Sequence, residues 1–365
     1  MEEGSMYDLI IIGGGPAGTA AAITAARHGV SVLILEHGRL PRHKVCGEFV
    51  SPESLDLLRA LLGVNAGLLE QAPRIAAARL FLDGRELRAA VDPPAASISR
   101  FELDLALWRT ASEAGAEARM QSPVLRVAGE GPYRVQTAGA TFEARSVMNA
   151  SGRWSNLCPR PASIQCKWLG IKAHFHESSP PASVDLYFFS GGYCGVQPVG
   201  PELINVSAMV RADAATTLPQ VLALHPGLQA RGRCWQPAFH PIATSPLLFR
   251  RPEPRQGNML LAGDAAGFVD PFAGDGIALA LRGGALAASS LFPFWRGRDS
   301  LAGAALAYEQ AYVRLLLPVF RNAARFRRLL SLPAPLRVPV VRLLARTGLP
   351  AFVVRSTRGG IQPAE

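Results

Sequence analysis

Cysteine is scarce here and badly spaced for metal or disulfide chemistry. Five occur in 365 residues (Cys46, Cys158, Cys166, Cys194 and Cys234), an odd set with no Cys-x-x-Cys pair. That argues against a zinc site and a disulfide framework, and for a reducing cytoplasm. Long apolar runs are missing too. No stretch of about 18 uncharged apolar residues occurs, so no transmembrane helix is expected. The opening "MEEGSMYDLIIIGGGPAG" is acidic, with neither the basic start nor the small-residue cleavage site of a signal peptide. What remains, 49% hydrophobic and 18% charged, is the composition of a soluble globular enzyme with room for two domains.

Lysine and acid are absent from one long stretch. Residues 311–360 hold ten arginines (Arg314, Arg321, Arg325, Arg327, Arg328, Arg337, Arg342, Arg346, Arg355 and Arg358) and no lysine, aspartate or glutamate. They account for the whole formal net charge of +10, leaving the rest of the chain neutral. "RFRRLLSL" and "LRVPVVRLLARTGLPAFVVR" mix this charge with apolar residues. Two readings fit. One is peripheral contact of residues 311–360 with the inner face of a membrane, at about 1 kcal/mol per basic residue near anionic lipid. The other is a terminal helix packed on the fold with snorkelling arginines. Nucleic acid is not expected as a partner, because no aromatic platform is interleaved with the charge.

"YDLIIIGGGPAGTAAAITAARHGVSVLILEHG" reads as strand, tight turn, helix and strand, one βαβ unit of a parallel sheet. "SPESLDLLRALLG" follows as a helix with Ser51 as its N-cap. "RLFLDGRELRAAV" is a hairpin turning at Asp83-Gly84. "RFELDLALWRTASEAGAE" is an amphipathic helix carrying Phe101, Leu105, Leu107 and Trp108. From about Ile164 to Ala212, "IKAHFH", "VDLYFFSGG", "YCGVQPVG" and "LINVSAMVRA" suggest an antiparallel meander. "NMLLAGDAAG" then restores the pattern of apolar strand, glycine turn and helix.

Gly13-x-Gly15-x-x-Gly18 closes the first strand and opens its helix. Gly13 permits the turn, Gly15 admits a pyrophosphate to the backbone, and Gly18 lets helix and strand pack closely. Glu36 ends the second strand, where a carboxylate holds ribose hydroxyls. Up to this point NAD and FAD are equally served. The stretch "GDAAGFVDPFAGDGIALAL" separates them. Asp264 follows a strand end, where it can accept from a ribitol or ribose hydroxyl. Pro271, Gly274 and Gly276 shape a turn into a helix whose N-terminus offers donors to a flavin ring. An NAD dehydrogenase needs no such second loop, so the cofactor expected is FAD.

Together, GGGPAG with Glu36, Arg100 ahead of "FELDLALW", "NASGRWS" at 149–155 and GDAAGFVDPFAGDG resemble the aromatic-hydroxylase superfamily of flavoproteins. "HKVCGEFVSPESL" is most similar to its geranylgeranyl-reductase-like branch. The resemblance implies an α/β fold with a Rossmann-like FAD-binding domain, a smaller antiparallel β-sheet substrate domain and C-terminal helices. The FAD-binding domain is assigned to 1–75, 97–160 and 243–310, the substrate domain to 76–96 and 161–242, and a basic helical segment to 311–365. By the same resemblance Gly13, Gly15, Pro16, Ala17 and Gly18 contact the pyrophosphate and Glu36 the adenosine ribose. Arg42 or Lys44, and Arg100, lie along the cofactor. Gly263 and Asp264 bind ribitol or pyrophosphate, with Pro271, Gly274 and Gly276 at the flavin ring. Cys46 approaches the substrate face and is the candidate catalytic residue.

Departures from that branch bear on the substrate. Its tunnel pattern, Tyr-x-Trp-x-Phe-Pro, here reads "YCGVQP": Tyr193 and Pro198 are kept, but Gly195 and Gln197 stand in the aromatic places. Tyr193 and Gln197 are the substrate-side candidates, and the Gln197 amide needs a hydrogen-bond partner. The tryptophan-rich halogenase signature is absent. His174 and His176 share one side of a strand and read as sheet-surface histidines, and Ser151, Gly152 and Ser155 as loop residues under the cofactor. Two reactions on a lipophilic small molecule fit: hydroxylation or epoxidation by a flavin monooxygenase, or reduction of a carbon–carbon double bond with Cys46 or a water as proton donor; a flavin-dependent halogenase and a non-catalytic flavoprotein are the less favoured alternatives. The first is preferred because the tunnel aromatics are missing. With one GxGxxG fingerprint, NADPH as electron donor would bind transiently, without a Rossmann domain of its own.

Overall fold

The computed structural model describes residues 6–153, 156–157 and 167–330. The chain opens with β1 (Tyr7–Ile12), α1 (Pro16–Ala26), β2 (Val32–Leu35), β3 (Phe49–Val50), α2 (Pro52–Leu62) and α3 (Gly67–Gln71). It continues through the hairpin β4 (Arg74–Leu82) and β5 (Arg85–Ser97) to α4 (Arg100–Glu113). Four short strands follow: β6 (Glu117–Arg119), β7 (Val124–Ala128), β8 (Tyr133–Thr137) and β9 (Thr141–Asn149). The middle of the chain holds β10 (Trp168–His176), β11 (Ser183–Phe189), β12 (Gly192–Pro198) and β13 (Leu203–Arg211), then α5 (Leu218–Ala223) and α6 (Pro226–Arg231). Last come β14 (Gln236–Pro237), β15 (Ile242–Thr244), β16 (Arg255–Gln256), β17 (Met259–Leu261), α7 (Gly276–Trp295), α8 (Leu301–Leu315) and α9 (Leu317–Leu330).

Two sheets result. The first runs β16-β17-β9-β1-β2-β6, with β17, β9, β1, β2 and β6 mutually parallel. Its strands β1 and β2 are apolar from Leu9 to Ile12 and from Val32 to Leu35, as buried parallel strands are; Leu9, Ile10, Ile11, Leu33 and Ile34 are fully buried. The short β17 is held at the edge of this core by α8, whose buried Tyr308 hydroxyl donates to Leu261 O at 2.8 Å.

The second sheet runs β14-β10-β13-β12-β11-β4-β5-β3. It corrects two expectations. It is mixed rather than antiparallel, since β4 and β11 pair in parallel, and β10 lies beside β13 rather than opening a meander beside β11. The reason is the chain path: β3, β4 and β5 come out of the first sheet before the β10–β13 strands exist, and join them from the far edge. Arg74 and Ile75 of β4, and all of β3, thus lie in the second sheet although the sequence reading groups them with the FAD-binding part. Side chains alternate across this sheet. Ile171, Ala173, Val196, Val206 and Ala208 pack under α5 and α6, through Leu218, Val221 and Leu228. Lys172, His174, Tyr193, Gln197 and Asn205 occupy the opposite face.

Local readings fare unevenly. The β4–β5 hairpin does turn at Asp83-Gly84, both with positive φ (52° and 72°), as such a turn requires. Ser51 is the residue that precedes α2, but its hydroxyl bonds Ser54 Oγ at 3.1 Å instead of a backbone N–H. On α4 the buried face is Leu103, Leu107, Trp108 and Ala111, while Phe101 is exposed and Leu105 only partly covered. The α4 stripe is rotated because Asp104 is buried with it to hold Arg100. Helix α7 is long and apolar enough to cross a membrane by length and composition alone, yet its apolar face packs in the core through Ile277, Leu281, Ala287 and Leu291. In α9, Leu317, Val319, Phe320 and Ala323 are buried, so this part of the basic segment packs on the fold; Arg337, Arg342, Arg346, Arg355 and Arg358 lie outside the described residues.

Small residues bring α1 and α7 into backbone contact. A Cβ on Gly284 would fall 2.0 Å from Ala17 O, so nothing larger than glycine fits between the helices. Gly284→Ala is expected to destabilise the protein by about 1–3 kcal/mol through overpacking, read as a lower urea midpoint with an unchanged m-value.

Candidate active site

The loop between β1 and α1 is built for close approach. Gly13 has φ 108°, and a Cβ there would lie 2.4 Å from Ala150 O; only glycine takes both that conformation and that contact. Pro16 then starts α1 with its missing N–H at a harmless position. A Cβ on Gly15 would meet nothing nearer than Arg100 Nη2 at 3.8 Å, so the helix N-terminus faces open space with its unpaired N–H groups. Glu36, at the end of β2, reaches back into this loop. It accepts from Gly14 N at 2.8 Å, Gly38 N at 3.0 Å and Arg42 Nη2 at 2.5 Å.

Positive charge gathers here in excess. Arg100 is held by a bidentate pair to buried Asp104 (2.6 and 2.7 Å). Burial opposes its charge, and Asp104 more than restores it, so its pKa lies above the ordinary value. Among the described residues Lys44 has no such partner. Burial first, then the charges of Arg42 and Arg100, push its ammonium down to about 8. Among the described residues the buried Nε of Arg42 and of Arg153 have no hydrogen-bond partner, while Arg153 Nη1 donates to Asp264 Oδ2 at 3.0 Å. A helix N-terminus, three crowded cations and two orphaned guanidinium donors fit the pyrophosphate of FAD.

At the second glycine loop, Asp270 accepts from Phe272 N at 3.2 Å and Gly274 turns the chain with φ 73° into α7. Gly276 is the first residue of α7, and a Cβ there would meet no atom within 4 Å. Gly263 brings the loop against Ala17 of α1. The structure thus brings together the sequence-predicted Gly13, Gly15, Ala17, Gly18, Glu36, Arg42, Lys44 and Arg100 on one loop cluster, and joins it to the Gly263–Gly276 segment through Ala17. Ser151 hydrogen-bonds Asn149 beside Gly13, and Ser155 lies outside the described residues.

Cys46 sits on a loop clamped to the second sheet, and the clamp was not read from the sequence. Glu48 is fully buried with φ 61°. Its carboxylate accepts from Lys172 Nζ, from His174 Nε2 at 2.7 Å and from Arg100 N at 2.7 Å. Burial alone would raise this carboxyl; the His174 hydrogen bond and the Lys172 charge outweigh it and hold it below its usual value. Asn205 adds Nδ2 bonds to the carbonyls of Cys46 (3.1 Å) and Gly47 (2.8 Å). The Cys46 thiol accepts from Glu48 N at 3.3 Å and touches the Arg100 guanidinium. His174 is therefore a buried partner of Glu48 rather than a surface histidine, while His176, two residues on, is exposed. A signal was present: Lys172 and His174 alternate with apolar residues, a polar stripe on one face of a core strand.

The substrate-side candidates share that face. Gln197 Nε2 donates to Ser97 Oγ at 2.6 Å, so the protein itself meets part of the amide's demand. Tyr193 reaches Asp270 Oδ1 at 3.4 Å and packs with Phe188 and Phe272, ring centroids 5.6 and 6.4 Å away. Those two rings supply aromatic surface that the Gly195 and Gln197 positions lack.

Known proteins resemble this chain in sequence and in fold. Residues 6–164 match the family described as FAD binding domain. Menaquinone reductase of Mycobacterium tuberculosis is 28% identical over 78% of this chain and 76% of its own length. Digeranylgeranylglycerophospholipid reductase 2 of Methanopyrus kandleri is 26% identical over 89% and 87%. The solved geranylgeranyl bacteriochlorophyll reductase-like protein of Thermoplasma acidophilum superimposes with a TM-score of 0.73 at 21% identity, covering 91% and 90%. The chain is an FAD-dependent oxidoreductase that is similar to these reductases. The myxobacterial chondrochloren halogenase CndH shares its fold, with a TM-score of 0.75 at 22% identity over 87% and 83%.

Two outcomes follow for this oxidoreductase. Lys44 loses its proton near 8 when no anion faces it, and bound phosphate favours the protonated form. Above pH 8, binding FAD then takes up a proton, and affinity should fall by up to about tenfold per pH unit; fluorescence titrations at stepped pH should show this slope, and Lys44→Met should abolish it. Glu48 is the opposite case. Its lowered carboxyl contributes stability that is complete above its ordinary value of 4.5 and lost as pH falls through the lower folded value. Glu48→Gln, which breaks a buried ion pair, should cost about 3–5 kcal/mol at neutral pH and flatten the acid limb of the stability curve.

Proposed function

We propose that this oxidoreductase saturates a carbon–carbon double bond in an isoprenoid lipid or an isoprenoid-bearing quinone. The observation that carries the reading is Cys46: a partly buried thiol against Arg100, on a loop clamped between the two sheets, where a proton donor is needed. The names of the two reductase relatives point the same way. Gly13, Gly15 and the start of α1 would hold the FAD pyrophosphate, with Arg42, Lys44 and Arg100 offsetting its charge. Glu36 would take the adenosine ribose and Asp264 the ribitol. Bound and reduced, FAD supplies an electron pair and one hydrogen.

The chain's own residues do the rest. The Cys46 S–H bond breaks as the second C–H bond of the product forms, and the thiolate left behind faces a guanidinium. Arg100 cannot swing away, because Asp104 grips it through two bonds and Glu48 holds its backbone. Solvent returns the proton to sulfur. Overall the double bond gains two hydrogens, one reduced nicotinamide nucleotide is oxidised by two electrons, and one proton comes from water. Phe188, Tyr193 and Phe272 supply apolar surface for a chain substrate. Exposed Leu306 and Val313 on α8, with exposed Arg314 next to Val313 in the chain, support contact with a lipid surface where such a substrate resides.

Oxygen insertion, the reaction favoured on sequence, leans on the missing tunnel aromatics, and the Phe188–Tyr193–Phe272 cluster weakens that ground. The products separate the two. Anaerobic dithionite-driven turnover of an isoprenoid quinone should yield a product with two added hydrogens, both deuterium in D2O because dithionite supplies electrons alone. Cys46→Ala should lower kcat by about 10²–10⁴-fold with flavin content unchanged. A product carrying one added oxygen, formed only in air, overturns the reading.

A further inference from the structure

Behind the second glycine loop, between α9 and residues 249–252, lies a cavity of about 340 Å³, at the small end of the range for small-molecule sites (roughly 300–1,000 Å³). Arg250, Arg251, Arg321 and Arg327 line it together with Phe249 and Phe268. The rings and cations are layered. The Arg327 guanidinium lies 3.9 Å from the Phe249 centroid, Phe268 is 5.4 Å from Phe249, and Arg153 stands 4.5 Å from Phe268.

Charge is badly out of balance here. The one carboxylate of the lining, Asp270, is 4% exposed; its Oδ1 already takes Tyr193 and Phe272 N, and its Oδ2 is 4.0 Å from Arg327. Arg250, Arg251 and Arg321 have no carboxylate within salt-bridge distance among the described residues. The deeper arginines behave differently: Arg79, Arg100 and Arg231 are each paired with a buried acid. Nor can the neighbouring chain supply the missing charge, because residues 311–360 contain no acid at all. Among the described residues no acid balances these arginines, so the cavity suits an anion from outside the protein. Guanidinium forks match phosphate oxygens in bidentate fashion, and phenyl and guanidinium faces stack on planar rings. The loop that floors the cavity runs directly on to Gly274 and α7, where the flavin ring is expected.

We propose that this cavity binds the phosphate-bearing end of a nucleotide; resting on the function proposed above, that nucleotide is the reduced nicotinamide dinucleotide that supplies the electrons. The GxGxxG loop serves FAD, so a second nucleotide needs a site of this other kind. Phosphate is the shared chemistry recognised, and a lipid headgroup is its other source.

The test is calorimetric titration of FAD-loaded protein with ADP, using the wild type and the Arg251→Ala/Arg321→Ala double variant. Both arginines are exposed, so flavin content and melting temperature should not change. ADP should bind the wild type and bind the variant at least about tenfold more weakly, while adenosine binds neither. The KM for NADPH in flavin reduction should rise correspondingly with the limiting rate unchanged. Equal ADP affinity in the two proteins, or no ADP binding by the wild type, overturns the proposal. So does arginine-dependent binding of phosphatidic-acid vesicles without nucleotide binding, which assigns the phosphate to a lipid headgroup. Dithionite-driven turnover bypasses the nucleotide: if it fails while ADP binding behaves as described, the double-bond reading falls and this site stands.

Discussion

A single buried carboxylate determines how the two halves of this molecule meet. Glu48 adopts a left-handed backbone conformation that costs a non-glycine residue on the order of 1 kcal/mol, and it buries a charge in a place without water. Both costs are offset because Glu48 collects donors from separate parts of the fold. Arg100 N comes from the start of α4, and Lys172 and His174 come from β10 of the second sheet. Buried ion pairs are a poor route to net stability but a strong constraint on geometry. Here the constraint falls on Cys46, two residues away, whose carbonyl is caught by Asn205 on the neighbouring strand.

The arginines sort themselves by what they face. Those that reach the interior have acids waiting, as Arg79 and Arg231 do on Asp185. Those at the first glycine loop are crowded against one another, and the crowding shows in the depressed Lys44. Such a cluster is unfavourable by itself and becomes favourable when phosphate arrives. The same accounting, applied behind the second loop, separates a cation that is structurally satisfied from one that awaits a ligand.

Much of the nucleotide-binding half was legible in the sequence because its determinants are local. An apolar strand, three spaced glycines, a proline at the first helical position and an acid at the next strand end lie within a few dozen residues. Sheet order was not legible to the same degree: that β10 seats beside β13, and β4 beside β11, depends on the route of the chain between sheets. The Glu48 clamp was missed for a related reason. Its partners are 124 and 126 residues away, and a histidine two places from another on a strand looks like surface until a carboxylate is found behind the sheet. On α4 an acid and an arginine buried together rotated the packed face away from Phe101, which hydropathy alone cannot foresee.

The contact between Gly284 and Ala17 also has a temporal side. Helix α1 carries the first glycine loop and is made well before β17 and α7, which lie far along the chain from it. Until then the first loop lacks the helix that presses against it, and the sheet lacks an edge. A nascent chain can present the early phosphate-binding turn but cannot close on the whole cofactor, so firm capture of FAD has to wait for α7. Messenger truncations or ribosomal stalls upstream of α7 would then release chains with an exposed apolar flank, a form for the cell's quality control to remove before it can tie up flavin.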